Sequence, residues 1–139
     1  MSENKDVNVN ESFILAQEIV KVLLEKKGLE VKMFDVRDQS SITDFYVNAT
    51  GRSSTQVASL AREVCDKISE LGRDELRVEG RGANNWLLVD YGDVIVNIFD
   101  KASREFYNLD RHLPEDSLAD ISELIAEVDK KFELNNIKE

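Results

Sequence analysis

Two acidic side chains converging on a divalent cation would equip this chain for phosphoryl or nucleotidyl transfer, and alternate residues of a strand are the simplest way to pair them. The sequence holds one pair at that spacing, Glu127-Val128-Asp129, and it falls in a helical pattern. Asp44-Phe45-Tyr46 offers one carboxylate where two are wanted. Asp90 and Asp93 flank a turn, where aspartates commonly satisfy backbone donors. A metal-dependent nucleotidyl- or phosphoryl-transfer enzyme would therefore have to combine Asp44 with Asp90 or Asp93. Nucleophilic catalysis fares no better. His112 is the only histidine, beside Leu113-Pro114 and far in sequence from Cys65, the only cysteine. Cys65 reads as a small, partly buried hydrophobe, and alone it forms neither an intramolecular disulfide nor a cysteine metal cluster. Gly51, Gly80, Gly82 and Gly92 match neither standard phosphate-loop spacing. No catalytic, cofactor or metal site is expected.

Charge narrows the partners. A formal net charge of −10 and a pI near 4.6 repel phosphate backbones and anionic membranes and favour a basic protein partner. An RNA-binding module would need a basic stripe that is hard to find here. The N-terminal residues lack the apolar run of a signal peptide, and no stretch approaches a membrane span, so a cytoplasmic protein is expected. At 139 residues, 42% hydrophobic and 33% charged, the chain has the size and balance of one folded domain.

The elements that would position these residues follow from periodicity. Phe13, Ala16, Val20, Leu23 and Leu24 recur at helical spacing over residues 12–27, closed by Gly28. Residues 31–36 and 44–50 read as strands. Ser53 and Gln56 form a capping-box pattern ahead of Val57, Leu60, Ala61, Val64, Ile68 and Leu71, which predicts a helix up to Gly72. A short strand at 76–79 precedes a flexible Gly80-Arg81-Gly82-Ala83-Asn84 connection. Residues 86–91 and 94–99, joined by Gly92-Asp93, should form an antiparallel hairpin. A short helix from Ala102 is expected to carry Phe106 and Leu109 inward, and Leu118, Ile121, Leu124, Ile125, Val128 and Phe132 stripe a final helix after Pro114. The order implies an α/β (α+β) fold, a mixed sheet of about five strands covered by helices. The expected division is a flexible tail over 1–10, a domain over 11–113 and a C-terminal helical extension over 114–139.

Between Glu79 and Asp93 the sequence looks least like ordinary core. Trp86, Leu88 and Asp90 share one strand face, and Leu87, Val89 and Tyr91 share the other. Either face could be the core. If Leu87 and Val89 point inward, a large aromatic stands beside a carboxylate on an open sheet face, a pairing suited to the centre of an interface with a basic partner. Trp86 packed beneath a helix is the plain alternative.

The segments Ser40-Ser41-Ile42-Thr43-Asp44-Phe45 and Ala49-Thr50-Gly51-Arg52-Ser53-Ser54 resemble the paired signature of the Iojap-type ribosomal silencing factors. Arg77-Val78-Glu79-Gly80, then residues 86–96, then Arg104-Glu105-Phe106-Tyr107-Asn108-Leu109 resemble the rest of that family's pattern, in order. No single piece would suffice, but together they cover residues 35–109. The resemblance implies a nucleotidyltransferase-like architecture without enzymatic activity, in which Gly51-Arg52-Ser53 is similar to that fold's Gly-Ser turn while the carboxylate pair is missing. It implies docking on the large ribosomal subunit through ribosomal protein L-fourteen, which blocks joining of the small subunit and represses translation. By position, the partner-binding surface would centre on Trp86 with Leu88, Asp90 and Tyr91, and Glu79 and Asp93 would contribute acid. Two departures stand out. A histidine frequent in the family after the Gly-Asp turn is Asn97 here, and the chain continues past His112 into a further helix. That extension could pack on the domain, mediate self-association as a homodimer when free, or enlarge the steric block.

Overall fold

The computed structural model describes residues 2–81 and 85–138. Helix α1 (Ser2–Glu25) leads to strands β1 (Leu29–Asp35) and β2 (Phe45–Gly51), helix α2 (Ser54–Glu70), strands β3 (Arg77–Arg81), β4 (Trp86–Asp90) and β5 (Val94–Asp100), and helix α3 (Lys101–Tyr107). Two short 3₁₀ turns, Leu109–His112 and Glu115–Ser117, precede helix α4 (Ser122–Lys138). The backbone is thus helical from Ser2, well ahead of the expected start at Ser12. Of the expected flexible connection, Gly80 and Arg81 belong to β3, and Gly82, Ala83 and Asn84 lie outside the described residues.

The strands form one mixed sheet in the order β1-β2-β5-β4-β3. Its one parallel pair, β2 with β5, joins strands separated by α2 and the β3–β4 ribbon; the other pairs are antiparallel. Gly92, at φ 90°, makes the β4–β5 turn, which Tyr91 N–H closes on the Val94 carbonyl at 2.9 Å. That backbone angle favours glycine over any residue with a Cβ.

Alternation along the central strands decides which face is the core. Val47, Ala49, Val96, Ile98, Val89 and Tyr91 are buried in one cluster with Ala16, Ile19, Val20 and Leu23 of α1 and Val57, Leu60, Val64 and Ile68 of α2. The stripe read from the sequence for α2 is its buried face, and Ser53 Oγ caps it by accepting from Gln56 N–H at 3.1 Å. Helices α1 and α2 therefore cover the Leu87/Val89 side of the sheet. Among the described residues, α3 and the 3₁₀ turn after it approach the other side.

Two packing expectations are corrected. Phe106 does not point inward; it is 81% exposed. Arg104 takes the inward slot of this seven-residue helix, and a residue two positions on lies on the opposite side of the helix. Leu118 does not belong to the final helix either. It pairs with Phe34, while Ala119 N–H reaches the Met33 carbonyl at 2.8 Å, so this segment covers the otherwise free edge of β1. Helix α4 itself lies along α1, with Val128 buried, Lys27 over the Phe132 ring at 4.8 Å and Lys131 bonded to Glu25 at 3.2 Å. The extension packs on the domain. Among the described residues, no helix is long and apolar enough to cross a membrane.

Candidate docking site

With Leu87 and Val89 directed at α2, Trp86, Leu88 and Asp90 stand on the opposite face, each half-buried. The register places Glu79 of β3 beside Leu88 and Arg77 beside Asp90. Trp86 is neither sealed in the globule nor free in solvent. Its ring lies 4.9 Å from Phe99 and 4.8 Å from Tyr107, and Phe106 meets Tyr107 edge-on at 5.1 Å. The result is an aromatic shelf of Trp86, Tyr107 and the exposed Phe106, a geometry that aromatic rings prefer. Tyr107 and Phe106 were missed as site residues, because helical periodicity alone turned Phe106 inward.

The acid beside this shelf is partly neutralised. Arg77 donates to Asp90 Oδ2 at 3.1 Å and to Glu79 Oε1 at 2.7 Å, while Asp90 Oδ1 accepts the Gly92 N–H at 2.7 Å. Tyr46, two strands away in the same row, has its phenol pushed up first by burial and then by the Asp90 carboxylate. A partner cation would compete with Arg77 for Glu79 and Asp90. The alternation of β3 against β4 carried the signal for Arg77.

Two expected contributors lie elsewhere. Tyr91 is 2% exposed and sits in the core beside Cys65, because it shares the inward parity of Leu87 and Val89. It supports the strand from beneath and offers no exposed surface. Asp93 sits at the far end of β4 from Trp86. Its carboxylate is held by Arg73 at 2.6 and 3.0 Å, and its carbonyl accepts from the Asp44 and Phe45 N–H groups. Arg73 also bonds the Tyr91 carbonyl at 2.8 Å. Asp93 thus clamps α2's exit and the start of β2 to the hairpin.

Behind Trp86 runs a row of polar side chains. The indole Nε1–H donates to Asn97 Oδ1 at 3.0 Å, Asn97 Nδ2 to Asn48 Oδ1 at 3.2 Å, and Asn48 Nδ2 to Asp110 Oδ1 at 2.6 Å. Arg104 donates to the other Asp110 oxygen at 2.7 Å, to Thr50 Oγ1 at 2.9 Å and to the Glu30 carbonyl at 3.1 Å. Asn108, at φ 48° and ψ 47°, ends α3 in the left-handed conformation that Asn tolerates, and the chain then turns back to carry Asp110 over the sheet.

The same geometry bears on catalysis. Asp90 and Asp93, the expected companions of Asp44, are each engaged by an arginine. Among the described residues, no group of three or more His, Cys, Asp or Glu is placed to hold a metal ion. Burial, then the Glu75 carboxylate, push the Cys65 thiol up to about 11. At pH 8 its reactive thiolate is then only about one part in a thousand. Iodoacetamide should alkylate Cys65 far more slowly in the native protein than in urea, and equal rates would refute this burial.

This frame is shared with known proteins. The family model described as ribosomal silencing factor during starvation matches residues 9–137, running on through the segment after Pro114. The ribosomal silencing factor RsfS of Zymomonas mobilis is 38% identical over 87 residues, 63% of this chain and just under two thirds, 65%, of that protein. The RsfS of Bacillus subtilis is 34% identical over 97 residues, covering 70% of this chain and 82% of its own length. In three dimensions, a crystal structure of a Chromobacterium violaceum protein superposes with a TM-score of 0.67 at 32% identity, covering 76% of this chain and 85% of the other. A match across nearly all of the chain, joined to sequence likeness and a common fold, places it: the chain belongs to the ribosomal silencing factor family.

Proposed function

We propose that this protein silences ribosomes by docking the Trp86 face on the large ribosomal subunit, through ribosomal protein L-fourteen, so that the small subunit cannot join. The observation that carries the reading is an aromatic and acidic shelf, Trp86, Leu88, Asp90 and Glu79, on the side of the sheet that α1 and α2 leave uncovered. Large aromatics are enriched at the energetic centre of interfaces. A net charge of −10 suits a basic ribosomal protein. Two bodies competing for one surface exclude each other sterically, with no conformational switch required.

In this reading the protein is a cytoplasmic docking module and not an enzyme. Residues 11–113 carry the docking domain, and the extension that follows braces α1 through α4. The scaffold is nucleotidyltransferase-like, with Gly51-Arg52-Ser53 in place of the fold's Gly-Ser turn. Gly51 suits that turn, since a Cβ there would lie 2.9 Å from the Val57 backbone nitrogen. The fold is kept while its chemistry is gone. A homodimer of the free protein would use the same shelf only at the expense of docking.

Purified protein should co-sediment with isolated large subunits and slow their joining to small subunits, measured by light scattering. Normal joining rates at saturating protein would end the proposal.

A further inference from the structure

The polar row behind Trp86 has a direction, and that direction is fixed at both of its ends. An asparagine amide can in general be turned either way, its oxygen and nitrogen exchanging places. Here the chemistry of the two ends removes the choice. The indole N–H can only donate, and the Asp110 carboxylate, facing Arg104 at 2.7 Å, presents acceptors. Asn48 must therefore turn its NH₂ to Asp110 and its carbonyl to Asn97. Asn97 must in turn give its NH₂ to Asn48 and its carbonyl to the indole. Both amides are sealed, Asn48 at 0% and Asn97 at 1% exposure, so water cannot substitute for a missing partner.

We infer that Asp110 is a positioning residue: through Asn48 and Asn97 it holds the Trp86 indole in the orientation in which it docks. The docking half of this statement rests on the function proposed above; the orienting half stands on the hydrogen bonds alone. Twenty-four positions separate Asp110 from Trp86 in sequence, yet three hydrogen bonds and two amide planes join them. The row also links the turn after α3 to the ring that Tyr107 of α3 packs against at a 50° tilt, so hydrogen bond and ring contact fix the indole from two sides.

The test is Asp110→Asn, nearly isosteric but able to donate as well as accept, so that the row loses its fixed acceptor and only the indole donor still directs the two amides. Trp86 is the chain's single tryptophan, and its Nε1–H gives one resonance in a ¹⁵N correlation spectrum. That resonance should shift and exchange faster with solvent in Asp110→Asn. Lys32→Met serves as the control, because Lys32 lies 3.9 Å from Asp110 Oδ2, the oxygen that meets Arg104, while the row ends on Oδ1; it should leave the resonance in place. Affinity for isolated large subunits should fall roughly threefold to tenfold in Asp110→Asn, the usual size of coupling through a shared network. No further loss should follow in a Trp86→Phe background, where the ring remains but the donor is gone.

An unmoved indole resonance in Asp110→Asn overturns the inference. So does fast solvent exchange of the indole N–H in the unaltered protein, a measurement that needs no variant to fold. Equal losses of affinity with and without the indole donor would overturn its docking half. If instead Trp86→Ala binds large subunits normally, the docking proposal itself fails, and the resonance alone decides whether Asp110 orients the ring.

Discussion

Replacing Trp86 by alanine is expected to weaken binding to the large ribosomal subunit by about 2 kcal/mol or more, roughly thirtyfold, the scale of a central aromatic anchor. The ring is placed for it. It stands half-buried on the open face, between Phe99 beneath and Tyr107 beside, with Leu88 next on that face, Glu79 paired opposite Leu88 and Asp90 farther along the same row. Its loss also removes a donor from Asn97, which is buried, so some destabilisation must accompany the loss of binding. Trp86→Phe separates the two effects, because it keeps an aromatic ring and much of the apolar surface while deleting the N–H with the five-membered part of the indole. Affinity should then follow the order unaltered, Phe, Ala at temperatures where all three are folded by circular dichroism. Unchanged affinity in Trp86→Ala would move the interface off this face altogether.

Strand parity made much of this surface legible before any coordinates. It sorted Trp86, Leu88 and Asp90 from Leu87, Val89 and Tyr91, and left open only which set was the core. The answer lay in tertiary packing: the β4 residues that meet α2 are the apolar ones of the second set, and this also withdraws Tyr91 from the surface. Helix α2 and the β4–β5 hairpin were legible for the same reason, since a cap, a period and a Gly-Asp turn all act over a few residues. The polar row was not. It joins residues 48, 86, 97, 104 and 110 through the register of three strands and one left-handed turn. No local pattern encodes register across a parallel pair whose strands are separated by α2 and the β3–β4 ribbon. Periodicity alone turns Phe106 inward and gives no place to Arg104; each side chain follows from the other once α3 is seated, because a helix of seven residues has room for one inward side chain at that point.

Arg104 carries the second large effect. It is 6% exposed, and its guanidinium meets Thr50 of β2, the carbonyl of Glu30 in the irregular start of β1, and Asp110. A buried charge bonded to three elements is costly to break on one side only, because the remaining partner is left uncompensated. Arg104→Met keeps the length of the side chain but leaves the Glu30 carbonyl and Asp110 without that donor. It should cost about 3 kcal/mol and lower the midpoint of thermal unfolding by roughly 10 °C. Arg104→Lys should fall between, since an ammonium supplies the charge but cannot span three acceptors in the plane of a guanidinium fork. Asp110, 20% exposed in its side chain, can recover some hydration, which sets the estimate at the lower end of the range for buried pairs. A Met variant that unfolds at the unaltered midpoint would show that Arg104 is held by the fold without helping to hold it. The inward turn of α3, and the place it makes for Tyr107 beside the indole, would then need another cause.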